Sequence, residues 1–184
     1  MASNIKKYIL TSITLGLIAA SGALLIAGTN MITRDPIAEN ELKRINKGIV
    51  TIFGENISFE QCDLPVLPQN EKYQYVNTCY EIKDNNELIT GYAFRTDGKN
   101  DYGKISLLIG FDNNVNYEGL SIIVNEQSFA SDLKKGYINP IADGSKTIDD
   151  VDIHCGATFG ARLVRDMVNE AQKIAGIKVG ENND

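Results

Sequence analysis

The stretch Asp152-Ile153-His154-Cys155-Gly156-Ala157-Thr158 leads into a run from Phe159 to Ala175 with a clear period. Apolar or small residues fall at Ala161, Leu163, Val164, Met167, Val168, Ala171, Ile174 and Ala175. That spacing predicts a helix, with Gly176 placed as its stop. Thr158 then lies in or just before the first turn. There, backbone N–H groups without intrahelical acceptors and the positive end of the dipole converge. Such a terminus stabilises a phosphate, and Gly156 and Ala157 leave the backbone uncovered for a bulky ligand to approach. The simpler alternative is a helix capped by Thr158 with no ligand. Both readings are compatible with the helix pattern.

The 184 residues, 43% hydrophobic and 23% charged with only 4 Pro, fit a single folded domain with one sizeable core. A net charge of −6 argues against a nucleic-acid partner, which requires a basic face. With one His, a multi-histidine metal or haem site is excluded. Cys62, Cys79 and Cys155 are widely spaced and form no Cys-x-x-Cys, which disfavours zinc and iron–sulfur clusters. Any redox cofactor is therefore expected to be organic.

Residues Ile9 to Ala27 carry no charge and approach the roughly 20 residues that span a bilayer. Lys6 and Lys7 precede them, as they also would in a cleaved signal peptide. The small-x-small triplet within the run, Ser21-Gly22-Ala23, would cut it in the middle, so an anchor retained from Met1 to Thr29 is expected. No Cys follows to carry a lipid. Gly16, Ala19, Ala20, Gly22 and Ala23 offer a small-residue face suited to close helix packing, or belong to a plain anchor. Lys and Arg flank the run on both sides, so charge alone does not set orientation.

Pro36 to Lys47 reads as a separate short helix with Ile37, Leu42, Ile45 and Ile49 on one side. Gly54 to Lys72 has no period and reads as a loop around Pro65 and Pro68. Strands are expected near Tyr75–Lys83, Leu88–Arg95, Lys104–Phe111 and Tyr117–Val124, with Thr96-Asp97-Gly98-Lys99-Asn100 as one of the turns. Ser128 to Lys135 is expected as a short helix and Asn139 to Asp150 as a polar loop. The fold class is thus α+β: one N-terminal transmembrane helix, then a small antiparallel sheet with packed helices. The expected divisions are 1–29 for cytoplasmic tail and anchor, 30–72 for juxtamembrane helix and linker, and 73–184 for the main domain.

Asp152, followed by Gly156-Ala157-Thr158 and a helix, is similar to the Asp-x-x-Ser/Thr-Gly-Ala-Thr motif of the FMN-binding domain family. That family includes the G subunit of the Rnf electron-transport complex and the C subunit of the sodium-pumping NADH:quinone reductase. The segments Gly91-Tyr92-Ala93-Phe94, Asp101-Tyr102-Gly103-Lys104-Ile105-Ser106-Leu107 and Ile109-Gly110-Phe111-Asp112 also resemble strands of the Rnf G subunit, whose length this chain matches better than that of the longer C subunit. The sequence departs at Cys155, where the family usually has Ser or Thr. It departs again at Glu126-Gln127-Ser128-Phe129-Ala130-Ser131, where the family has Glu-Thr-Pro-Gly-Leu-Gly and only Glu126 carries over.

The resemblance implies FMN joined to Thr158 by a phosphoester, installed from FAD by a separate flavin transferase. It implies flavin neighbours at Asp152, Cys155, Gly156, Ala157, Glu126, Tyr102 and Gly103. It also implies a domain outside the cytoplasm and partners among the other membrane subunits of the complex. The alternative for Asp152 is to orient its own loop by accepting backbone N–H bonds. Tyr102 and Phe129 are either stacking partners or core aromatics, the commoner fate of such residues. In an external domain Cys62 and Cys79 would be able to pair; otherwise they are buried thiols. No acid–base pair, nucleophile triad or metal cluster can be assembled from the sequence, so the expected chemistry is electron relay through FMN. The alternatives are a stand-alone anchored FMN carrier and a flavin-free tethered binding or assembly module.

Overall fold

The structure, a computed structural model, describes residues 2–68, 71–153 and 156–181 and, for residues 2–5 and 32–38, the backbone alone. It has two compact units, Met1–Lys43 and Arg44–Asp184. The described residues of the first all belong to helix α1, Ala2–Phe53. Within it, Lys6–Met31 is the one helical stretch among the described residues long and apolar enough to cross a membrane. Its 26 residues extend about 39 Å at 1.5 Å each, more than the ~30 Å hydrocarbon layer. Leu10, Leu15, Leu24, Leu25 and Ile26 are all exposed, an arrangement that water penalises and lipid does not. The hydroxyls of Thr11, Thr14, Ser21 and Thr29 each donate to the carbonyl four residues back, at 2.8–2.9 Å. No hydroxyl of this set is left for the bilayer to satisfy.

The separate helix expected from Pro36 does not form; α1 runs through Pro36 without a break. Strong helix formers follow it, from Ala38 through Glu39, Glu41, Leu42 and Lys43, and Lys43 pairs with Glu39 one turn back at 2.7 Å. Leu42 is exposed, whereas Ile45 and Ile49 are buried.

The second unit is a five-stranded antiparallel sheet in simple meander order: β1 (Ser58–Cys62), β2 (Val76–Lys83), β3 (Ile89–Asn100), β4 (Gly103–Asp112) and β5 (Tyr117–Asn125). Alternation along β4 sends Ile105, Leu107, Ile109 and Phe111 to one core and Leu108 to the other. The larger core lies under α4 (Thr158–Glu181), which contributes Leu163, Val164, Met167, Val168 and Ile174. Burial of each such side chain stabilises by about 1.5–3 kcal/mol. The smaller core seats Ile45 and Ile49 against Tyr80, Ile82, Ala93, Leu108 and Ile123. Arg44 Nη1 donates to the Ile123 carbonyl at 3.0 Å.

Four differences from expectation have physical causes. The loop read from Gly54 to Lys72 contains β1, which pairs with β2 and carries a Cys62–Cys79 disulfide at directly opposed positions. Thr96 to Asn100 continues β3 rather than turning, because Thr96 is fully buried and Gly98 lies beneath Met167 and Leu163 of α4. Gly176 does not end α4. A glycine costs a helix about 1 kcal/mol, and contacts beyond it offset that. Val179 packs against the core, Lys178 Nζ donates to the Asp63 carbonyl at 3.1 Å, and Glu181 accepts from the Val66 N–H at 3.2 Å. Finally, the short helix expected at Ser128–Lys135 is α2 (Ala130–Leu133), followed by a π-helical turn (Lys134–Ile138) and α3 (Asn139–Ile141). Buried Leu133, Tyr137, Ile138 and Ile141 drive that continuation into the expected polar loop.

Candidate functional site

The β3–β4 hairpin, the segment after β5, α2 and the start of α4 meet at one cleft. It has a volume of about 230 Å³ and is lined by Tyr102, Gln127, Phe129, Leu133 and the run Gly156–Gly160. The hairpin tip is fixed locally: Asn100 Oδ1 accepts from the Tyr102 N–H at 2.9 Å, a self-made turn of the kind Asn favours. Gly103 follows with φ +131°, and its Cα lies against the Glu126 carbonyl with no room for a Cβ. The segment after β5 is then stitched to the tip. Glu126 N–H donates to the Lys104 carbonyl at 2.8 Å, Ser128 N–H to the Tyr102 carbonyl at 2.7 Å, and buried Gln127 donates through Nε2 to the Gly103 carbonyl.

Thr158 is the first residue of α4 and is half-buried. The Ala157 carbonyl takes the first helical bond, from Ala161 N–H at 2.9 Å. The cap position is therefore Ala157 and not Thr158, which frees the Thr158 hydroxyl from the capping role. The N–H groups of Thr158, Phe159 and Gly160 precede that bond and have no acceptor within the helix. All three residues line the cleft. No acidic residue occupies the first turn of α4, so nothing there competes with an anion for the dipole. Gly156, at φ +82°, has open space where a side chain would stand, its nearest neighbour being Asp132 Cβ at 3.9 Å.

Aromatic rings also border the cleft. Tyr102 stacks on Phe159 with centroids 5.3 Å apart and planes 23° from parallel, and tilts against Phe129 at 6.1 Å. All three rings are exposed, so the core role weighed for Tyr102 and Phe129 does not hold.

Of the residues expected at the site, Tyr102, Gly156, Ala157 and Thr158 line the cleft. Gly103 and Glu126 stand behind the wall, as scaffold for Tyr102 and Gln127. Asp152 is exposed and is not part of the lining. Cys155, with His154, lies outside the described residues. Gln127, Leu133, Phe159 and Gly160 were not anticipated. Phe159 directly follows the motif, but its exposure is evident only once the helix face is known.

These features describe an α+β unit with a surface cleft bordered by a helix N-terminus and exposed aromatic rings, preceded in the chain by a helix long and apolar enough to cross a membrane. Residues 1–48 match the RnfG N-terminal region family, so the resemblance to the RnfG subunit is carried by the anchor segment as well as by the motif. The match covers 48 of the 184 residues and is a likeness to that N-terminal region; together with the one candidate membrane-spanning helix among the described residues it supports a single-pass membrane protein. Comparison with curated proteins returns no match.

Proposed function

We propose that this chain is the FMN-carrying electron-relay subunit of an Rnf-type ion-translocating complex, with Thr158 Oγ1 as the attachment point. The observation that carries the reading is the position of Thr158: first residue of α4, free of the capping role, at the rim of a cleft with exposed aromatic rings. The residues fit the group at both ends. Thr158 and the first-turn N–H groups suit a phosphate monoanion or diester, and Tyr102, Phe129 and Phe159 suit a flat ring system.

Attachment forms the Thr158 Oγ1–phosphorus bond and breaks the pyrophosphate link of FAD. AMP is the leaving group, the hydroxyl proton is lost, and a flavin transferase is the catalyst. The covalent bond answers a physical need. At about 230 Å³, the cleft is smaller than the roughly 300–1,000 Å³ of pockets that retain ligands by enclosure. Gly156 keeps the approach to Thr158 open, and the helix terminus orients the phosphate. Gln127 holds the hairpin tip and its tyrosine in place. When bound, FMN supplies one- and two-electron exchange, while the protein supplies attachment, orientation and exposure to neighbouring subunits.

The Cys62–Cys79 disulfide supports placing the second unit outside the cytoplasm, where such bonds persist and where lost FMN is not readily replaced. The test is intact-mass analysis of the protein from its native membrane, with denaturing-gel fluorescence of Thr158→Ala. A flavin adduct on the Thr158 peptide, absent from a folded Thr158→Ala protein, is the expected result. Fluorescence that persists in that variant would overturn the assignment.

A further inference from the structure

A second cleft, of about 430 Å³, shares none of the described lining residues of the cleft at Thr158. Three cations border it: Arg44 and Lys47 from α1 and Lys134 from the π-helical turn. No acidic side chain is among the described residues that line it, although the chain as a whole carries a net charge of −6. None of the ion pairs among the described residues uses Arg44, Lys47 or Lys134. Like charges gathered around a cleft focus a positive field, which a bound anion relieves.

Local packing builds this arrangement. Arg44, Lys47 and Thr51 recur at helical spacing along the cleft, while Ile45 and Ile49 of the same helix are buried in the smaller core. Gly48 lets the helix close onto β5: a Cβ there would stand 3.2 Å from Ser121 Cβ and 3.1 Å from Leu108 Cδ2. Arg44 Nη1 holds the Ile123 carbonyl at 3.0 Å, which fixes the side chain over the strand and leaves the rest of its fork for a ligand. β5 is an edge strand, yet strand addition is obstructed along the cleft. Arg44 covers the Ile123 carbonyl, and Leu120 N–H donates to the Ala142 carbonyl at 3.1 Å. A compact ligand fits this edge better than an extended peptide.

We propose that this cleft binds a phosphate monoester through Arg44, Lys47 and Lys134. Arg matches phosphate oxygens with paired N–H donors, and Lys adds point charges. Three cations suit a dianion better than a single carboxylate. The volume of about 430 Å³ falls within the roughly 300–1,000 Å³ of small-molecule sites, and a phosphate group fills only part of it. Leu120, Ile122 and Ile138 also line the cleft, so the group that carries the phosphate is apolar. Two sources share this chemistry: a soluble phosphorylated molecule, and a phosphatidic-acid headgroup, which a chain with a helix able to cross a membrane would meet. The site is independent of the reading of Thr158.

The experiment is calorimetric titration of the full chain in detergent with pyrophosphate and, separately, with dihexanoyl phosphatidic acid. Dihexanoyl phosphatidylcholine serves as the uncharged control. Lys47 and Lys134 are exposed, so the double variant Lys47→Gln, Lys134→Gln is expected to fold as the wild type does. It is expected to raise the Kd of the bound probe at least tenfold, whereas Thr158→Ala leaves it unchanged. Tighter binding of phosphatidic acid than of pyrophosphate assigns the lipid source, and equal or weaker binding assigns the soluble one. The proposal is overturned if neither probe binds at millimolar concentration, or if the double variant binds as the wild type does. It is equally overturned if phosphatidylcholine binds as well as phosphatidic acid, or if Thr158→Ala weakens binding as much as the double variant, which would place the phosphate at the start of α4.

Discussion

Glu170 of α4 grips the start of β2 through Tyr75: one carboxylate oxygen accepts the Tyr75 N–H at 2.9 Å, and the other accepts the neighbouring Gln74 N–H at 2.7 Å. Two backbone donors that precede the strand ladder are satisfied by a helix 95 residues away in sequence. Hydrogen bonds to a charged group contribute about 1.5–3 kcal/mol, and partial exposure reduces that. Glu170→Ala is expected to destabilise the second unit by about 1–3 kcal/mol, measured as a shift in denaturant midpoint with unchanged slope. A midpoint within error of the wild type would show that water replaces the carboxylate at no cost.

The disulfide acts on the same strand and ties edge strand β1 to β2. Cys62 and Cys79 are cross-strand partners with Cα atoms 5.3 Å apart, and the bond closes a sequence separation of 17. In the chain-entropy model a loop of this size contributes about 3 kcal/mol. At about 2–4 °C per kcal/mol for a chain of this length, reduction is expected to lower Tm by roughly 6–12 °C. Differential alkylation of protein taken directly from cells checks that the bond is present before reduction. A reduced form with the same Tm would mean that β1 contributes nothing to the cooperative unit.

Why the sequence reading succeeded in some places and not in others follows from which forces act locally. The β4 alternation Ile105, Leu107, Ile109, Phe111 is a local signal, and the strand stands where it was expected. Edge strand β1 has no such alternation; pairing and the disulfide define it, and both depend on residues far along the chain. Thr96 to Asn100 has turn chemistry by composition, yet Met167 and Leu163 above Gly98 hold it extended. The site divides in the same way. Thr158 at the head of a helix was legible from six neighbouring residues and a period. The wall formed by Tyr102, Phe129 and Phe159 was not, because three segments must fold before it exists.

Asp97 supplies a pH dependence. Partial burial opposes its charge, but the hydrogen bond from Ser106, the Arg95 guanidinium, the amide of Asn77 and the Lys104 ammonium more than compensate. Its carboxyl is therefore held below the ordinary value of 3.8. A group depressed on folding contributes stability that is fully present above its unfolded value and is lost as pH falls through its folded value. The second unit is expected to lose stability progressively below about pH 4. Asp97→Asn should be less stable near neutrality and show a flatter acid limb in Tm against pH. Parallel curves for the two proteins would remove Asp97 from the account.

Gly103 links the fold to the site. Its φ of +131° is a conformation that side chains rarely adopt, and a Cβ there would meet the Glu126 carbonyl, a backbone atom that a rotamer change does not move. Gly103→Ala therefore requires the hairpin tip to withdraw from the segment after β5, and strain of this kind costs about 1–3 kcal/mol. The withdrawal has a local signature. Ser128 N–H donates to the Tyr102 carbonyl one residue from the substitution, so its amide should lose hydrogen-exchange protection. Amides in the middle of β4, such as Leu108, should change only by the global loss. Asn100, whose side chain reaches the Phe159 carbonyl at 3.3 Å, would carry the disturbance to the first turn of α4 beside Thr158. Equal protection of Ser128 in both proteins would show that the tip accommodates a side chain without moving, and that Tyr102 is positioned by some other contact.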